Sequence, residues 1–164
     1  THQVRVHLAS LRHPLVDGHG NFGFNARINK NNAPQGQMVY VYRGTYNGVA
    51  VDYRIKSNSL TSLGFACWNG TAYAACPLGN ATFPAKATLE GKASIQINRA
   101  SDGYTVYSDG NATFSATVVD SGQSSGIGSD SYQLTVYDKN AVLYKSVPTA
   151  LLRGGNVVIH GTTK

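Results

Sequence analysis

Glutamate occurs once in this 164-residue chain, at Glu90, methionine once, at Met38, and charged residues make up only 13%, about half the usual share. Without the Ala/Glu/Lys/Leu stock that builds surface helices, the composition argues against a helical bundle or coiled coil. No apolar run reaches the ~18–20 residues of a membrane span, which also excludes a pilin with a long apolar N-terminal helix. Cysteine is limited to Cys67 and Cys76. Two thiols cannot complete a four-ligand zinc site, and the lack of CxxC and CxxCH speaks against zinc ribbons and c-type haem. A single glutamate gives poor support to paired-carboxylate glycoside chemistry. The net charge is +6, but the basic residues are scattered, whereas a nucleic-acid site wants a basic stripe interleaved with stacking aromatics. The charge supports no more than weak attraction to acidic polysaccharide or anionic surfaces.

Eighteen glycines and ten tyrosines, with abundant Val, Thr, Asn and Ser, fill the gap and favour strands. Period-2 alternation recurs along the chain. It runs through Val4, Val6 and Leu8; Phe22, Phe24 and Ala26; Met38, Tyr40 and Tyr42; and Val51, Tyr53 and Ile55. Phe83 to Leu89 is followed by Ala93, Ile95 and Ile97, then by Ala112 to Val118, Tyr132 to Val136, Val142 with Tyr144, and Val157 with Ile159. Asn47-Gly48, Asn69-Gly70, Asp102-Gly103 and Asp109-Gly110 supply tight-turn chemistry between runs, and residues 121–129 form a Gly/Ser loop. The expectation is an all-β, antiparallel β-sandwich, jelly-roll or Ig-like, of about ten short strands with no significant helix. Residues 1–19 read as an N-terminal strand and linker, and 20–164 as one sandwich domain.

A strand pair turning at Asn69-Gly70 would bring Cys67 and Cys76 together, so a disulfide is expected, against the alternative of two buried thiols. Three sequons, at Asn69, Asn80 and Asn111, fall at turns or strand starts, where a glycan could reach solvent. A start at Thr1 fits a processed mature product or an excised domain. Together these features predict a secreted, extracellular or cell-surface protein.

The order of segments resembles the post-COAP-type β domains of secreted and surface proteins of bacteria and archaea. The matching stretches are Gly20-Asn-Phe-Gly-Phe-Asn-Ala-Arg27, Pro34-Gln-Gly-Gln37, Tyr53-Arg-Ile-Lys-Ser-Asn58 and Ala81-Thr-Phe83 with Gly91-Lys92. They continue with Gly110-Asn-Ala-Thr-Phe114 through Val119-Asp120, Asp130-Ser-Tyr-Gln-Leu-Thr-Val136 and Gly154-Gly-Asn-Val-Val-Ile-His160. The resemblance implies an extracellular β domain and carries no catalytic residues over. Two features depart from the pattern. A strand-like segment at 1–11 replaces a Gly-rich stretch, and the Cys67–Cys76 excursion looks like an insertion.

Candidate chemistry is thin. Gly122-Gln-Ser124-Ser-Gly126 matches G-x-S-x-G, but a hydrolase elbow needs a strand, a sharp turn and a helix, and this match lies in the Gly/Ser loop. His13, Asp17 and His19 suit zinc or copper in type but fit no standard spacing. Asp109, Asp120 and Asp130 lack the D-x-D-x-D run of a calcium loop. Tyr40 with Tyr42, and Trp68 with Tyr73, could form a stacking platform for sugars, although tyrosine more often fills a core edge. No enzyme, no metal site and no cofactor is expected. The N-terminal strand, with Val4, Val6 and Leu8 on one face, can pair within its own domain or fill a groove in a neighbouring copy. Repeated head to tail, the second arrangement makes a filament. The expected function is therefore a non-catalytic structural subunit whose partners are copies of itself, assembling by donor-strand exchange. The alternative is a carbohydrate-binding or adhesion module docking on polysaccharide.

Overall fold

The structure is a computed structural model that describes residues 3–12, 19–76, 83–124 and 126–160, with the backbone alone at 3–12, 19 and 160. The described residues form ten strands: β1 Gln3–Arg12, β2 His19–Ile28, β3 Pro34–Tyr46, β4 Val49–Trp68, β5 Tyr73–Ala74, β6 Ala85–Arg99, β7 Thr105–Asp120, β8 Ser131–Tyr137, β9 Leu143–Leu151 and β10 Gly154–His160. Among the described residues there is no helix, so none is long and apolar enough to cross a membrane. The alternation that marks each run carries through to burial. Phe22, Phe24 and Ala26 of β2 are buried, as are Met38 and Tyr40 of β3, Ala112, Phe114, Ala116 and Val118 of β7, and Tyr132, Leu134 and Val136 of β8. β6 keeps one parity from end to end, Ala85, Ala87, Leu89, Gly91, Ala93, Ile95 and Ile97 all facing inward. Phe83, which the alternation placed on the same face, lies outside the strand and is exposed.

Asn47-Gly48 turns β3 into β4 with both residues at positive φ, 50° and 78°, the conformation a two-residue hairpin loop requires. Asp102-Gly103 likewise falls between β6 and β7. Asp109-Gly110 does not separate strands. It lies inside β7, at a register shift opposite Ala93 and Ile95, where the Asp109 carboxylate accepts the amides of Asn111 and Lys139. A local side-chain-to-backbone bond thus makes a bulge instead of a hairpin.

All pairings are antiparallel, and the strands form one hydrogen-bonded sheet in the order β10-β1-β2-β3-β4-β6-β7-β8-β9, with β5 beside β4. From β2 to β9 this is a meander, whereas jelly-roll and immunoglobulin-like folds need Greek-key crossings. The order therefore differs from both expected topologies. The strands are not uniformly short either: β4 has 20 residues, β6 has 15 and β7 has 16. Bulges between Ser57 and Ser59 and between Leu60 and Ser62 let these long strands bend without ending. Residues distant in the strand order also meet. Tyr132 of β8 stacks on Phe22 of β2 at 3.7 Å between ring centroids, and lies 6.5 Å from Tyr40 of β3. The core is the space this roll encloses.

Candidate assembly site

Among the described residues, the strand pairing that joins distant parts of the chain is that of β1 with β10. β1 lies between β10 and β2, antiparallel to each. The register sets Val4 across from Ala26 and Ile159, and Val6 across from Phe24 and Val157. All four partners are buried. Directly opposed residues of an antiparallel pair share a face, so the register places positions 4 and 6 on the face of these four residues. Leu8, the third residue of that face, falls in the register shift between Val6 and Ala9 and has no partner of its own. Residues 13–18, which connect β1 to β2, lie outside the described residues.

The two margins of the sheet differ in how their backbone groups are handled. β10 pairs with β1 on one side only. On its other side Val157 N–H donates to Asp130 Oδ2 and Ile159 N–H to Asp120 Oδ2, both at 2.8 Å. The remaining oxygens are held by the β7–β8 connection. Asp120 Oδ1 accepts Gly122 N–H at 2.8 Å, and Asp130 Oδ1 accepts the amide and hydroxyl of Ser121, each at 2.9 Å. Both aspartates are buried. Both oxygens of each carboxylate thus accept from protein N–H or O–H groups. Among the described residues no group of three or more His, Cys, Asp or Glu is placed to hold a metal.

The far margin is β9, bonded to β8 alone. It carries Pro148 in mid-strand, which has no N–H to offer a further strand. It also carries Lys145, whose ammonium lies 4.2 Å from the centroid of the Tyr42 ring. Burial pulls the pKa of that lysine down. An inward-directed lysine and a proline are devices that keep an edge strand from adding partners.

The tyrosines are largely spent on one another. Tyr42 stacks on Tyr53 at 4.3 Å and Tyr107 on Tyr144 at 6.3 Å, while Tyr40 and Tyr132 are fully buried. Burial raises the pKa of Tyr42 and Tyr144, and their mutual proximity raises that of Tyr42 further. The Tyr40–Tyr42 face is thus core edge rather than an open platform. Trp68 and Tyr73 do meet across β4 and β5, at 5.4 Å in an edge-to-face arrangement, with Lys86 over the Tyr73 ring.

Cys67 and Cys76 form a disulfide. Asn69 and Asn111 are exposed, while Asn80 lies outside the described residues. So do His13 and Asp17, and of His19 only the backbone is described. The described residues of the G-x-S-x-G stretch, 122–124 and 126, lie outside the strands. Gly122 turns at a φ of 79°, against the Phe83 ring, and β8 rather than a helix follows. Sequence reading singled out Asp120 and Asp130 only as weak calcium candidates. Their local signal, a carboxylate just before Ser-Gly or just after a turn, was visible, but their partners on β10 lie 39 and 27 residues away.

No family model matches the chain, and neither a curated protein nor a solved structure does. A disulfide and the lack of a membrane-spanning helix among the described residues are compatible with an extracellular protein.

Proposed function

We propose that the chain is a non-catalytic extracellular structural subunit that assembles with copies of itself, each N-terminal strand entering the slot between β10 and β2 of the next copy. The observation that carries this reading is the position of β1. It is the first strand among the described residues, yet it sits inside the sheet rather than at its margin. A strand carried on a connecting segment can make the same contacts in a neighbour as in its own chain, and a head-to-tail exchange of this kind does not close. The two blocked margins add support, because they leave replacement of β1 as the route by which a strand can join. The facing of β2 and β3 on β8 supports reading the rolled sheet as a two-layered sandwich. The proposed relation to post-COAP-type surface domains rests on the sequence stretches alone and agrees with this role.

A cross-strand pair tests it. Arg5 and Asn25 are direct partners, and Arg5→Cys with Asn25→Cys would lock whichever β1 occupies the slot. Exchange between copies is expected to give a covalent ladder on non-reducing gels from concentrated full-length protein, and fibres by negative-stain microscopy. A single monomer band with an internal bond would sink the reading.

A second reading, a polysaccharide-binding or adhesion module, draws on a shallow cleft of about 230 Å³ on the outer face of β4 and β6, lined by Arg54, Lys56, Ser94 and Gln96. Retention on an acidic polysaccharide column that is lost in Arg54→Ala/Lys56→Ala would favour it. Equal retention of parent and variant would remove it.

A further inference from the structure

We propose that Asp120 and Asp130 act in place of a strand along the outer edge of β10, so that the slot stays formed when β1 leaves and the β1 of a second copy can enter. This rests on the strand-exchange reading above. A strand-exchange slot has two walls, and here they are unequal. β2 is held on its far side by β3 along nine residue pairs. Among the described residues no strand pairs with β10 on its far side, so with β1 gone its strand-to-strand bonds would be gone too. A seven-residue strand with one partner is expected to leave with that partner, since an unpaired strand in water has little to hold it.

The two carboxylates change that outcome. Successive N–H groups of a strand point to opposite sides. Those of Val157 and Ile159 are taken by Asp130 and Asp120, so those of Asn156 and Val158 face β1, where their register partners are His7 and Arg5. The acceptors of these two outward N–H groups therefore belong to the end of β7 and to the β7–β8 loop, and Ser121 and Gly122 of the same loop donate to the two carboxylates. The turn leading into β10 is anchored to the same loop: Leu152 N–H donates to the Asp130 carbonyl at 2.9 Å, and Gly128 N–H to the Leu152 carbonyl at 2.8 Å. Charged acceptors make stronger bonds to amides than carbonyls do, and burial shields them from competing water. The side chains of Val157 and Ile159 lie in the core. β10 thus has attachments at Val157, Ile159 and the turn before it that do not pass through β1.

Amide hydrogen exchange on the full-length chain tests the latch directly. Val157 and Ile159 are expected to exchange at least about tenfold more slowly than Asn156 and Val158, because loss of β1 uncovers only the latter pair. One common rate for all four amides would show that β10 leaves with β1 and would overturn the proposal. A second measurement uses the Arg5→Cys/Asn25→Cys chain with Asp120→Asn and Asp130→Asn added. The covalent ladder is expected to drop about tenfold or more while the Cys67–Cys76 disulfide and the β-sheet circular dichroism persist. An undiminished ladder would overturn the proposal. If the parent chain forms only the internal bond, the assembly reading falls, and the amide ratio still decides whether the carboxylates hold β10 independently of β1.

Discussion

A phenol placed where an aliphatic side chain could sit gives up its water, and Tyr40 and Tyr132 are both in that position. Burial pushes the Tyr40 pKa up to about 12 and that of Tyr132 well above its ordinary value, against about 10 for a free tyrosine. Above pH 10 the unfolded chain therefore binds fewer protons than the folded one. Stability is fully present below about pH 10 and is lost as the pH climbs towards 12 and beyond. In a spectrophotometric titration, tyrosinate absorbance is expected to stay short of ten phenols until the sheet's circular dichroism collapses. Complete ionisation with the sheet intact would show that these rings are open to water. Gly91 makes a second claim at this scale. A Cβ there would run into the Ser59 carbonyl oxygen and come within 3.0 Å of the Phe114 ring, where β4 bulges across β6. Gly91→Ala is expected to cost about 1–3 kcal/mol in denaturant unfolding. A loss within experimental error would mean the bulge relaxes freely. The inward parity of such residues was legible in the sequence, because period 2 is a local signal. The aspartate bonds to β10 were not, because nothing local distinguishes a carboxylate that caps its own turn from one that also reaches a strand far along the chain.

At the scale of the element, the sequence marked strands well and their lengths poorly. Asp109-Gly110 reads as a hairpin in isolation, yet β7 continues through it because Ala112 and Phe114 resume pairing with β6 on the far side of the shift. A turn dipeptide supplies a conformation, and tertiary pairing decides whether the chain reverses. The margins of the sheet carry information of the same kind. Pro148 is an obstacle only because β9 turned out to be an edge, which strand order alone could reveal. Pro148→Val would restore a donor to that edge and add β-propensity. Faster aggregation with increased thioflavin binding is expected, independent of residues 1–12. Unchanged solubility at high concentration would assign the protection of this edge to Lys145 and the local twist instead.

For the whole molecule, the sheet order ties the two ends of the chain together, β1 against β10. The meander between them is built mainly from neighbours in sequence. The chain is held by an apolar roll of modest size with few charges, so a covalent tie has weight. Cys67 and Cys76 close a short excursion, nine apart in sequence, at the end of β4. Constraining the unfolded chain over a loop of that length is worth about 2–3 kcal/mol. Cys67→Ser/Cys76→Ser is therefore expected to lower the unfolding free energy by about that amount, and mild reduction of the parent chain to do the same. Substitution is expected to exceed reduction by no more than about 1–3 kcal/mol, the cost of an unpaired hydroxyl, because Cys67 is buried beside Ala85 at the start of β6. A much larger loss on substitution than on reduction would mean that the sulfur atoms matter as core packing rather than as a tie. Equal stability before and after reduction would mean that the β4–β5 corner is already fixed by the pairing of Trp68 with Tyr73.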